Sequence, residues 1–180
     1  MSRSLKFTVY LLLFVFVLFF LIPVFLPSEI SVSTNKEIKA PVSVVFSELN
    51  SIKKRQVWTP FKSDSATTET FTGPLEGKGA TSKLQRHDTL IRELTIIKSI
   101  PDSLIEYELT FNKGQRGAVE TFKITGDSLK TNVLWEMNIV NLHYPFGRWL
   151  GLVMKSSMKP VLKKGLDNLT KITVKNDSVN

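Results

Sequence analysis

The chain has 180 residues, with 24 Lys and Arg against 16 Asp and Glu, and no cysteine. The formal charge of +8 suits an anionic partner or an anionic lipid surface, and the lack of cysteine excludes anchoring through a lipidated thiol. All 16 acidic residues but only 22 of the 24 basic ones lie beyond Leu26, which leaves a formal +6 on one domain's worth of chain.

Phe7 to Leu26 contains no charge and no break in apolar character (FTVYLLLFVFVLFFLIPVFL). At about 1.5 Å per residue such a run reaches roughly 30 Å, the thickness of a bilayer's hydrocarbon core. A cleaved signal has a shorter apolar core of about 7–15 residues and a small-residue cleavage site. Here Phe25-Leu26-Pro27 follows instead, so residues 1–27 read as a retained single-pass anchor. Arg3 and Lys6 precede the run, and the positive-inside rule then expects a cytoplasmic N-terminus and an extracytoplasmic, periplasmic domain.

Ser28 to Lys39 alternates weakly and predicts a first strand. Ala40-Pro41 opens a short helix whose apolar face is Val44, Val45, Phe46 and Leu49. A second short helix or turn over 51–60 closes on Trp58-Thr59-Pro60-Phe61. Six strands follow, at Thr68–Thr72, Ala80–Arg86, Leu90–Ser99, Ser103–Phe111, Gly117–Ile124 and Thr131–Val140. Gly73-Pro74, His87-Asp88, Pro101-Asp102, Asn112-Lys113-Gly114 and Gly126-Asp127 punctuate them, and links this short imply an antiparallel meander.

The last predicted element is a helix over 146–174. Phe146, Leu150, Val153, Met154, Met158, Val161, Leu162, Leu166, Leu169 and Ile172 form its apolar stripe, and a kink or break is expected before Pro160. A curved sheet of this size needs the long helix over its concave face. The expectation is an α+β helix-grip domain over 28–175, preceded by one transmembrane helix and followed by a disordered tail at 176–180.

Several segments, in this order and spacing, resemble the START-like (SRPBCC) superfamily in its polyketide cyclase/dehydrase-like branch of small bacterial proteins. They are KEIKAPVSVVF (36–46), WTPF (58–61), GPLEGKGA (73–80), TNVLWEM (131–137) and the stretch from Tyr144 to Lys171. The resemblance implies a hydrophobic cavity between sheet and C-terminal helix that takes lipids, polyketides or other apolar small molecules. It does not imply one reaction. The chain departs from the pattern at Leu84, where relatives often carry Trp.

The cavity wall is expected from Trp58, Tyr107, Leu109, Phe111, Glu120, Phe122, Trp135, Met137, Leu150, Met154 and Met158. Tyr107 and Trp135 lie on the clearest apolar strand faces and each has one polar tip. Glu120 shares a strand face with Ala118, Phe122 and Ile124. There it is either a carboxyl in an apolar pocket, able to donate a proton, or the partner of Arg92 or a Lys.

Lys155, Lys159, Lys163 and Lys164 flank the helix stripe and suit either solvent or anionic headgroups. The glycine loop 73–79 fails the P-loop pattern in spacing and in Gly79 where Ser or Thr is required. His87 and His143 have no companions at metal-ligand spacing, so no metal and no cofactor is expected. No nucleic-acid motif accompanies the basic charge.

The leading expectation is a membrane-anchored, non-enzymatic binding protein for a hydrophobic small molecule or lipid. A cyclase or dehydratase using Glu120, with Tyr107 orienting a carbonyl, is the alternative. A protein-interaction module is the third reading.

Overall fold

The computed structural model describes residues 3–61, 64–111 and 114–177. An apolar helix, α1 (Arg3–Leu21), runs into a single 3-10 turn at Ile22–Val24. Then come β1 (Ile30–Ile38), α2 (Val42–Asn50) and α3 (Ile52–Trp58). Six strands follow: β2 (Thr68–Thr72), β3 (Thr81–Arg86), β4 (Thr89–Ile100), β5 (Leu104–Phe111), β6 (Gln115–Gly126) and β7 (Thr131–Ile139). The chain finishes in α4 (Phe146–Asp177).

The seven strands form one antiparallel curved sheet in the order β1-β7-β6-β5-β4-β3-β2. Consecutive strands pair as the short turns require, and β1 closes the far edge against β7. His87 and Asp88 both take positive φ (46° and 62°), the two-residue hairpin geometry whose twist matches that of its strands. The predicted turn at Asn112-Lys113 lies outside the described residues, as does the end of the expected tail. Residues 176 and 177 still belong to α4.

Period-two alternation sets the concave face. Along β6, Ala118, Glu120, Phe122 and Ile124 are buried; along β7, Thr131, Val133, Trp135, Met137 and Ile139 are. Register aligns these into rows across the sheet. One is Leu94, Leu109, Ala118, Ile139 and Ile30; the next is Ile96, Tyr107, Glu120, Met137 and Val32.

Over this face lies α4, which continues as a helix through Pro160. No break separates its two halves, although Pro160 removes the hydrogen bond that its amide would give to the Ser156 carbonyl. Leu162, Leu166 and Leu169 are fully buried in the core. At Gly165 a Cβ would meet the Trp135 ring at 2.5 Å, so only glycine lets the helix lie this close to β7. The stripe inward of the amino-terminal half differs from the prediction. It runs through Gly147, Gly151, Met154 and Met158, while Phe146, Leu150 and Val153 are exposed at 68%, 55% and 63%. Glycines mark the contact here: a Cβ on Gly151 would stand 2.6 Å from Leu142 Cδ1.

Carbonyls at the end of a helix are short of intrahelical donors. Several at the end of α1 and its terminal turn accept from Tyr144 and from the start of α4. The Tyr144 hydroxyl donates to Phe20 O (2.6 Å), Trp149 Nε1 to Phe19 O (3.0 Å), and Arg148 Nη1 to Pro23 O (2.8 Å) and Val24 O (3.0 Å). Phe19 also stacks on the Trp149 ring with centroids 5.9 Å apart.

Candidate functional site

The site is built from α3 and the concave face of the sheet. In α3, Ile52, Arg55 and Trp58 recur every three residues and form one buried face. The Ser51 hydroxyl caps the helix by accepting from the Lys54 amide (3.5 Å). Arg55, only 4% exposed, is thereby carried into the domain interior. Its Nη2 donates to Glu120 Oε2 at 2.7 Å, and the same oxygen accepts from Trp135 Nε1 at 3.1 Å.

Four rings surround the Arg55 guanidinium: Tyr107 at 4.6 Å, Trp58 at 5.1 Å, Trp135 at 5.7 Å and Phe122 at 5.8 Å from the ring centroids. Burial opposes its charge, but Glu120 and Tyr107 outweigh burial and raise its pKa above the usual value. Tyr107 is also wholly buried, which pushes its phenol up to about 12 against the opposing pull of Arg55. Its hydroxyl donates to the Leu49 carbonyl near the end of α2, where helix carbonyls lack partners.

Beside this cluster, between the sheet and the amino-terminal half of α4, lies a cavity of about 390 Å³. Small-molecule sites span about 300–1,000 Å³. Leu94, Leu109, Phe111, Ala118, Met137, Ile139, Met154 and Met158 supply its apolar wall. Arg55, Glu120, Arg92, Gln56 and Glu69 supply its polar side. Glu69 accepts from Gln56 Nε2 and from the Ser82 hydroxyl. Arg92 lies in register between Leu84 and Phe111, next to the Leu94 row. Burial lowers its pKa; Glu69 opposes that shift and Arg55 adds to it.

Six of the expected wall residues border the cavity: Leu109, Phe111, Glu120, Met137, Met154 and Met158. Tyr107, Trp58, Phe122 and Trp135 do not; all four are fully buried and pack on one another in the core. Trp58 comes down from α3 onto Phe122 and Trp135, Gly165 of α4 and Phe61 close over Trp135, and Tyr107 is tied to Leu49 of α2. Leu150 also lies elsewhere, because it precedes the inward Gly151 by about 100° of helix rotation. The Tyr107 hydroxyl is buried away from the cavity on the Leu49 carbonyl, and Glu120 is held in a buried ion pair with Arg55. Its partner is neither Arg92 nor a Lys.

Arg55 is a cavity-lining residue that the sequence reading missed, and Arg92, weighed there only as a partner for Glu120, is another. Both had a signal: Arg55 shares the spacing of Ile52 and Trp58, and Arg92 alternates with Leu94 and Ile96 on an inward face. Lys155, Lys159, Lys163 and Lys164 are exposed. Among the described residues no group of three His, Cys, Asp or Glu converges as metal ligands.

An antiparallel sheet gripping a C-terminal helix above a partly apolar cavity defines the helix-grip class of binding folds. The chain belongs to the family described as polyketide cyclase/dehydrase and lipid transport, whose model matches residues 29–172.

Solved structures share the fold at low identity. A protein from Rhizobium leguminosarum is 16% identical with a TM-score of 0.52, the match covering 82% of this chain and 95% of that one. One from Mesorhizobium loti is 15% identical, TM-score 0.55, covering 82% and 99%. DynU16, from the dynemicin biosynthetic locus, is 13% identical, TM-score 0.52, with 78% of this chain covering 46% of that one. No curated protein matches the sequence.

Proposed function

We propose that the chain is a membrane-anchored binding protein that holds a hydrophobic small molecule or lipid in the cavity beneath the amino-terminal half of α4. The observation that carries this reading is the cavity itself: apolar walls from four strands, roofed by Met154 and Met158, whose unbranched side chains adapt to irregular apolar shapes. The family description, which includes lipid transport, points the same way. The enzyme reading loses support, since Glu120 is tied to Arg55 and Trp135 and Tyr107 is tied to Leu49.

Anchoring is supported by length and composition. Residues 3–24 form a 22-residue apolar helix with 6% of its most apolar window buried in the protein, and a helix of about 20 apolar residues spans a bilayer. Four hydrogen bonds from Tyr144, Trp149 and Arg148 tie the end of α1 to the domain. Phe146 lies against Phe19 at the end of α1, with ring centroids 5.6 Å apart, and the exposed Leu150 and Val153 follow on the same helix. Lys155, Lys159, Lys163 and Lys164 follow on the same helix, where each Lys near anionic headgroups contributes roughly 1 kcal/mol. In this reading the amino-terminus is cytoplasmic and the domain extracytoplasmic.

The test is native mass spectrometry of the full chain released from host-membrane nanodiscs. A reproducible non-covalent adduct of one apolar molecule per chain is expected. Its absence, together with no saturable binding of an environment-sensitive apolar dye, would overturn the proposal.

A further inference from the structure

On the polar side of the cavity two guanidinium nitrogens are buried without an acceptor, while Glu69 and one oxygen of Glu120 are already engaged. Glu120 Oε2 already takes Arg55 Nη2 and Trp135 Nε1. The two oxygens of Glu69 take Gln56 and Ser82, one each. By contrast, Arg55 Nη1 and Arg92 Nε are buried without a hydrogen-bond acceptor. The Tyr107 oxygen favours the Arg55 charge by its proximity and by hydrogen bonding, but no acceptor stands in good bonding geometry to Nη1.

Buried donors without partners cost about 1–3 kcal/mol each, more when charged, and native proteins leave few of them. Both belong to guanidinium groups on one cavity, and Arg55 disfavours the charge of Arg92. An oxyanion between them would accept from both groups and relieve their mutual repulsion. Guanidinium forks suit carboxylate and phosphate oxygens in particular.

We propose that the ligand is an amphiphilic anion: an apolar chain ending in a carboxylate or phosphate, whose oxygens lie between Arg55 and Arg92 while the chain runs beneath Met154 and Met158. This rests on reading the cavity as an apolar-ligand site, and it adds the chemistry of the ligand's head. Glu69 and Glu120 border the same space, and their engagement with Gln56, Ser82, Arg55 and Trp135 is what leaves the two arginines with the spare donors.

The experiment titrates the full chain in lipid nanodiscs with decanoate, decyl phosphate and decan-1-ol, using protein-free discs as the blank. The anion carrying the matching head is expected to bind at least about tenfold tighter than the alcohol. Which anion binds better decides between a carboxylate and a phosphate head. Arg92→Gln is expected to remove most of that preference, read as the ratio of anion to decan-1-ol affinity in the variant. Arg55→Gln alone leaves Glu120 without its cation, so the variant Arg55→Gln/Glu120→Gln, which keeps both shapes uncharged, serves as the second test and is expected to abolish the preference.

If all three probes bind equally, or if both variants keep the preference, the head-group site is wrong and the apolar cavity stands. If no probe saturates, the cavity reading itself fails.

Discussion

The two halves of α4 are one continuous helix with two opposite relations to the sheet. The carboxyl-terminal half is seated: Leu162, Leu166 and Leu169 are fully buried, Gly165 lies against Trp135, and Asp167 pairs with Lys36 of β1. The amino-terminal half bridges a cavity through Met154 and Met158 and exposes Phe146, Leu150 and Val153. In the proposed reading, stability belongs to the seated half and binding to the raised one. The same sheet thus serves as a core under one half and as a pocket wall under the other, and what separates the two is α3 with its Arg55 cluster.

The largest expected effect breaks that separation. Arg55→Met leaves Glu120 buried without its cation and should cost about 3–5 kcal/mol, whereas Arg55→Met/Glu120→Leu should recover most of it. Urea denaturation of both variants measures the difference, and equal losses in the two would mean that the pair itself is not what organises this region.

Next is the seated half. Leu166→Ala should cost about 2–5 kcal/mol and Gly165→Ala about 1–3 kcal/mol, the first by opening a cavity and the second by forcing the helix off Trp135. In the raised half, Met154→Ala should cost about 1 kcal/mol or less, since that side chain borders an existing space, and Leu150→Ser should stay within about 0.5 kcal/mol. Thermal melts of the four variants should rank in this order. A Met154→Ala loss as large as that of Leu166→Ala would contradict the comparison.

The smallest effect is confined to alkaline pH. Burial holds the Tyr107 pKa at about 12 in the folded chain, against about 10 when unfolded. A raised acid pKa stabilises the fold below the unfolded value, and the benefit is lost as pH rises through 10 towards 12. The stability difference between the wild type and Tyr107→Phe should therefore shrink over that window, by about 2–3 kcal/mol at most. A constant difference would show that the phenol ionises equally in both states.

Much of this was legible in the chain. Alternation in β6 and β7, turn pairs such as His87-Asp88 and the leucines of α4 define the sheet, its inward face and the covering helix. What a strand's own residues do not reveal is whether an inward side chain fills a core or borders a void, because the opposing layer decides that. Tyr107 and Trp135 met α2 and α3, while Leu109 and Met137 met open space. Apolar periodicity likewise pointed to Leu150, although Gly147 and Gly151, with no side chain to score, mark the face that touches Leu142. As cavity-lining residues, Arg55 and Arg92 escaped a reading that sought apolar walls, yet each was a charge at an inward position.

Hydrogen–deuterium exchange on the full chain in nanodiscs, with and without saturating decanoate, tests the division of α4 most directly. Without the probe, amides of 147–158 should exchange faster than those of 162–173. With it, protection should rise in 147–158 and in α3, and stay unchanged in 162–173. Equal exchange in both halves and no protection on saturation would contradict the account.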